Sequence, residues 1–118
     1  TRWQAFVRDV PVAPEVMDYV VRLIIATQPE TGAGPDRVRK YVRFGSSPRG
    51  AQALMLAGKV NALRAGRFNV SFDDIRTAAL PALRHRVLLN FEAEADGVTA
   101  DAIVTDILEH VATTAKAA

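Results

Sequence analysis

The turn formed by Gly45, Ser46, Ser47, Pro48 and Arg49 has the residue types needed to recognise an anion at the start of a helix. Gly45 permits an unusual backbone angle, Ser47 can cap the first helical turn, and Pro48 suits the first helical position. Arg49 then projects beside backbone N–H groups that have no partner within the helix. The turn suits a phosphate, but Ser-Pro-Arg is also an ordinary helix start with a solvated arginine, and the local pattern alone favours this second interpretation.

Two other short patterns resemble catalytic motifs and are rejected. Gly58-Lys59 is followed by Val60 instead of serine or threonine and lacks an upstream glycine, so it is not a phosphate loop. Asp73 and Asp74 fall in the predicted first turn of a helix, where capping and the helix dipole explain them better than a metal does. This chain alone is therefore expected to be non-catalytic and to hold no metal.

Composition limits the other possibilities. The 118 residues, 49% hydrophobic and 24% charged, suit one compact domain with one core. The absence of cysteine excludes disulfides and thiolate metal sites, and it is compatible with the cytoplasm. No apolar stretch reaches the roughly 20 residues that a membrane helix requires. The chain begins at Thr1 without a methionine, so we expect it to be a fragment of a longer protein.

Helical periodicity and capping residues predict a small bundle of four main helices. Pro81 lies inside the third of these and is expected to kink or break it before residues 83–89. Gly58, inside the second, is expected to admit a neighbouring helix closely. The predicted helices run from Pro14 to about Thr27, from Ser47 to about Ala65, from Ser71 onward, and from Thr99 onward.

A short β element is also predicted. Residues 37–44 alternate in a way that suits an extended segment, and residues 68–70 are the other β-favouring stretch outside a helix. These two segments are expected to pair at most as a very short two-stranded sheet. The predicted fold class is thus mainly α, a small four-helix bundle.

The chain resembles the C-terminal lid domain of MoxR-type AAA+ ATPases. The resemblance extends from about Val7 to Val111, and the Gly-Ser-Ser-Pro-Arg turn is its most specific part. The segments that carry it are Val10-Pro11-Val12, Tyr41-Val42-Arg43-Phe44 with the turn that follows, Val70-Ser71-Phe72-Asp73-Asp74-Ile75, and Leu83-Arg84-His85-Arg86.

The resemblance implies a role for each part of the chain. Arg49 would be the sensor-2 arginine that reaches the terminal phosphate of ATP, with residues 45–48 as the turn that positions it. Residues 1–12 would be the linker to the ATPase domain and residues 13–112 the lid, while residues 113–118 are expected to be a frayed tail.

The resemblance also implies the activity of the full-length protein. A preceding α/β domain would bind ATP with Mg and hydrolyse it. Subunits would assemble into a ring, by family precedent a hexamer. The protein would be cytoplasmic, and its role would be chaperone-like remodelling or maturation of partner proteins, among them proteins with von Willebrand factor A domains.

Two alternatives remain open. The first is a nucleotide-independent protein-interaction module that uses the apolar face of the first helix. The second is a helical nucleic-acid-binding domain, which the net charge of only +2 disfavours. The basic residues that motivate the second are Arg37, Arg39, Lys40 and Arg43, together with Arg84 and Arg86.

Overall fold

The computed structural model describes residues 10–111, so the expected tail at 113–118 and most of the expected linker at 1–12 lie outside the described residues. The described part is mainly helical with a short antiparallel sheet, which confirms the predicted fold class. Two of its six helices are short pieces that periodicity did not predict. The elements are α1 (Pro14–Ala26), a 3-10 turn (Pro29–Thr31), α2 (Asp36–Tyr41), β1 (Val42–Phe44), α3 (Pro48–Arg64), α4 (Phe72–Leu83), β2 (Leu88–Leu89), α5 (Phe91–Ala95) and α6 (Ala100–His110).

The core forms around α1, whose Tyr19, Val20 and Leu23 are completely buried. Helices α3, α4 and α6 all contact α1. Helices α3 and α4 form the most extensive pair and meet closely at Gly58, where an added Cβ would lie 2.7 Å from Cδ1 of Ile75. The predicted packing role of Gly58 is confirmed.

Of the kink or break predicted at Pro81, the break is wrong, because α4 continues through Pro81 to Leu83; the kink stays a prediction. Pro81 lies in the last turn with its ring on the exposed side of the helix, so the missing N–H costs one hydrogen bond near a terminus. Burial of Leu83 and the bond from the Arg84 N–H to the Leu80 carbonyl hold the final turn in place.

The predicted β pairing is correct for only one of its strands. Residues 37–41 are helical in α2, since Val38 and Tyr41 share a helical face and both are buried; only Val42–Phe44 is extended. Its partner is β2, with Val42 opposite Leu89 and Phe44 opposite Leu88. The expected partner at residues 68–70 forms instead a single parallel bridge between Val70 and Val12.

Candidate functional site

The Gly-Ser-Ser-Pro-Arg turn connects β1 to α3. Ser47 has extended backbone angles and caps the helix, accepting a hydrogen bond from the Arg49 N–H at 3.3 Å. Pro48 occupies the first helical position, and the Gly50 N–H donates to the Ser47 carbonyl at 2.8 Å. The predicted helix start is therefore confirmed, whereas the phosphate role of Arg49 stays a prediction.

The glycines of this turn serve close packing and not an unusual backbone angle. Positive φ among residues 10–111 occurs only at glycines elsewhere in the chain, so the conformational reason predicted for Gly45 is wrong. A Cβ on Gly45 would lie 2.4 Å from the carbonyl oxygen of Thr27, and a Cβ on Gly50 would lie 1.7 Å from Oγ of Ser46. Gly45 is therefore packed against the end of α1, whereas Gly50 is packed against the Ser46 side chain.

Ser46 attaches the turn to that end of α1. Its side chain is fully buried, its N–H donates to Oγ1 of Thr27 at 2.9 Å, and its carbonyl accepts from the Gln28 amide. The Thr27 hydroxyl in turn donates to the carbonyl of Ile24 at 2.6 Å. Sequence reasoning missed Thr27 and Gln28, and the signal available was two polar residues ending an apolar helix.

Arg49 itself is exposed, and within residues 10–111 its guanidinium makes no ion pair. The first turn of α3 contains no acidic residue. Each of the other five described helices has at least one: Glu15 in α1, Asp36 in α2, Asp73 and Asp74 in α4, Glu92 and Glu94 in α5, and Asp101 in α6. The positive end of α3 is thus the one helix start in the described chain without an acidic group of its own, and an external anion would be stabilised there.

Most other basic residues singled out in the sequence are already engaged. Arg43 lies over the Phe44 ring, with Cζ 5.2 Å from the ring centroid. Three further arginines form ion pairs: Arg37 with Asp106 at 2.7 Å, Arg39 with Asp36 at 2.9 Å, and Arg84 with Asp101 at 2.7 Å. These pairs reduce the positive potential that a nucleic acid would need.

An open groove with a volume of about 560 Å³ lies between α3 and the end of α4 with the residues that follow it. Ala53 lies one helical turn after Arg49, on the same side of α3. The groove is lined by Ala53, Ala57, Pro81, Ala82, His85 and Arg86. His85 and Arg86 of the Leu-Arg-His-Arg segment are thereby brought to the side of α3 that carries Arg49, while Arg84 pairs with Asp101.

The described residues contain neither a cluster of metal-binding side chains nor a helix suited to a membrane. Among residues 10–111 no three His, Asp or Glu side chains gather in a way that could hold a metal ion. None of the helices in this range has the length and apolar character that crossing a membrane requires.

Comparisons with known proteins agree with the architecture. The family model described as AAA lid domain matches residues 35–107. The chaperone MoxR1 of Mycobacterium tuberculosis is 34% identical over 97 residues, and the match covers 82% of this chain and 26% of MoxR1. The uncharacterized protein YeaC of Bacillus subtilis is 35% identical over 108 residues, covering 92% of this chain and 31% of YeaC.

A solved structure has the same fold. The crystal structure of a candidate ATPase from Cytophaga hutchinsonii superposes with a TM-score of 0.86 at 30% identity, covering 92% of this chain and 33% of that one. The present chain thus spans about a quarter to a third of the length of the proteins it matches.

Proposed function

The chain belongs to the AAA lid domain family, in its MoxR-type branch, and we propose that it is the nucleotide-sensing lid of a complete ATPase, with Arg49 as the group that contacts the terminal phosphate. The observation that carries this proposal is the start of α3, where an exposed arginine without an ion pair in the described chain stands in a first turn that has no acidic residue.

This arrangement suits a phosphate on physical grounds. A guanidinium offers several N–H donors in a planar fork that matches phosphate oxygens, and the positive end of α3 adds to the attraction. Arg49 is fixed on a helix of one domain, and the phosphate would be held by another domain. The presence of the terminal phosphate would therefore favour the closed arrangement of the two domains.

The remaining activity belongs to the rest of the protein. We place ATP binding with Mg and hydrolysis in an α/β domain preceding the lid, since residues 45–49 supply a phosphate contact but this chain has no phosphate loop. The proposal also includes a cytoplasmic location, ring assembly around ATP with six subunits by family precedent, and chaperone-like remodelling of client proteins. Proteins with von Willebrand factor A domains are the proposed partner class.

The test compares Arg49 variants of the complete ATPase. Arg49→Ala should lower ATP hydrolysis by about 10- to 100-fold, because a charged donor to the phosphate is lost, and Arg49→Lys should recover part of the rate. Arg64→Ala, at the opposite end of the same helix, is the matched control and should hydrolyse ATP at the wild-type rate. Wild-type hydrolysis by Arg49→Ala would refute the proposal.

A specific surface feature supports an alternative, the nucleotide-independent interaction module. Met17, Val21 and Ile25 lie at successive turns of α1 and are 46%, 47% and 41% exposed. They form an apolar stripe opposite the buried face of the same helix. A partner that uses this stripe would bind the complete protein equally well with and without ATP, and calorimetric titration under both conditions distinguishes the two functions.

A further inference from the structure

Hydrogen bonds join the end of α1 to the turn that carries Arg49, and the Thr27 hydroxyl both donates and accepts there. The Thr27 hydroxyl uses its proton on the Ile24 carbonyl and accepts from the Ser46 N–H through a lone pair. Thr27 and Ser46 are both fully buried, so water cannot replace either bond. Only a side chain that donates and accepts at the same atom satisfies both partners.

The backbone N–H and the carbonyl of Ser46 are both hydrogen-bonded to residues at the end of α1. Thr27 binds its N–H, and the amide of Gln28 donates to its carbonyl. The peptide groups on both sides of Ser46 are thereby fixed relative to α1. A rotation of this segment would break two hydrogen bonds at once.

Ser46 is also packed against the first turn of α3. Gly50, in the first turn of α3, lies so near Ser46 that an added Cβ would be 1.7 Å from Oγ of Ser46 and 3.4 Å from Cδ1 of Ile24. The first turn of α3 is therefore packed closely against the Ser46 side chain, and Ile24 of α1 lies next to both. Arg49 precedes Gly50 in the same helical turn, so the position of its backbone depends on how this turn is held.

From this arrangement we propose that Thr27 is a positioning residue for Arg49, acting through Ser46, with Gln28 as its second point of attachment. The proposal rests on the proposed function of Arg49. The end of α1 would then take part in nucleotide sensing together with the turn. A displacement of α1 would move Arg49 with it.

The test uses four variants of the complete ATPase: Thr27→Val, Thr27→Ser, Arg49→Ala and the double variant Thr27→Val with Arg49→Ala. Valine keeps the shape but leaves the Ser46 N–H without its acceptor, so the turn is held less firmly. We therefore expect kcat to fall by about three- to tenfold, less than when the Arg49 donor itself is removed. Thr27→Ser should restore most of the rate. The double variant should be no slower than Arg49→Ala alone, since Thr27 acts only through Arg49.

Binding supplies a readout that general destabilisation does not move. The preference for ATP over ADP, measured with fluorescent nucleotide analogues, should fall in Thr27→Val in the same direction as in Arg49→Ala. Ser71→Ala is the matched control. It removes the N-cap of α4 and so destabilises the lid, but Ser71 does not belong to the turn or to the end of α1. It should keep the wild-type preference. If Thr27→Val does not fold, Gln28→Met tests the same contact from its carbonyl side.

The outcomes separate the two proposals. An Arg49→Ala enzyme with wild-type hydrolysis would overturn both the function of Arg49 and the positioning role. Slow hydrolysis by Arg49→Ala combined with a wild-type rate in Thr27→Val and Gln28→Met would overturn the positioning role alone. The same follows if Thr27→Val slows the Arg49→Ala background as much as it slows the wild type.

Discussion

Helices α3 and α4 both begin after a serine cap, Ser47 and Ser71, yet the groups around the two caps differ. At α4 the third helical residue is Asp74, which accepts from the Ser71 N–H at 2.9 Å while its own N–H donates to the Ser71 hydroxyl at 3.2 Å. At α3 the third residue is Gly50, and no such exchange takes place. The serine alone therefore does not determine what a helix start is available to bind.

The α4 start is completed by a cation from its own chain. Arg67 donates to both carboxylate oxygens of Asp74, at 2.8 and 2.6 Å, and also to the Ser71 hydroxyl at 3.1 Å. Asp74, Ser71 and Arg67 thus supply one another's hydrogen-bond partners. At α3 the charges are inverted, because an arginine stands in the first turn and the anion is left to come from outside.

The largest effect on ATP hydrolysis is expected when the first turn of α3 is given an acidic residue like that of α4. Arg49→Asp should lower ATP hydrolysis of the complete protein by about 100-fold or more, because a carboxylate repels the phosphate that the arginine is proposed to contact. The same variant should leave the lid as stable as before or raise its unfolding temperature slightly, since an acid suits a helix N-terminus. Hydrolysis assays and thermal unfolding measure the two quantities.

The reciprocal change is the control for that variant. Asp73→Arg alters the equivalent position of α4, which is exposed, and should leave hydrolysis unchanged while lowering stability slightly. Equal losses of hydrolysis in both variants would mean that first-turn charge in general, and not Arg49, affects the enzyme.

The second effect concerns stability at the α4 start. Asp74→Ala should reduce the free energy of unfolding by about 2–3 kcal/mol, because it removes a capping acid that is 4% exposed and leaves the Ser71 N–H without its acceptor. Urea denaturation of the complete protein, followed on the transition of the lid, measures this change. If the loss in free energy of unfolding were no larger than that of an ordinary surface substitution, the hydrogen bonds of Asp74 with Ser71 and Arg67 would not stabilise the α4 start.

Acid sensitivity should come from the same carboxyl. Burial by itself would raise the pKa of Asp74, but hydrogen bonds from Arg67 and from the backbone and hydroxyl of Ser71 outweigh burial and hold the pKa below its usual value. A lowered folded pKa means that the stabilisation is present above the unfolded value of about 3.9 and is lost as the pH falls through the folded value. Denaturation midpoints between about pH 5 and pH 2 should therefore decline less steeply in Asp74→Asn than in the wild type. Equal slopes would assign the acid sensitivity to other carboxyl groups.

The same contrast shows which features the sequence predicts and why. Caps such as Ser47, Ser71 and Thr99 act on residues two or three positions away, so helix starts are predictable from short segments, and all three are confirmed. The contact between Thr27 and Ser46 and the pairing of β1 with Leu88–Leu89 join segments that are distant in the sequence. Those contacts depend on how distant segments pack together in three dimensions, which periodicity does not report.

The smallest effect is expected from the caps themselves, and it sharpens the difference between the two helix starts. Ser47→Ala removes one hydrogen bond of 3.3 Å at an exposed position and should cost about 0.5 kcal/mol. Ser71→Ala removes a reciprocal pair member and an Arg67 contact, so it should cost about 1 kcal/mol or more. Urea denaturation of both variants gives the comparison directly. If Ser47→Ala were the more destabilising of the two, the α3 start would depend on its cap as strongly as α4 does, and rigidity of the Arg49 turn would then come from Ser47 in addition to Thr27.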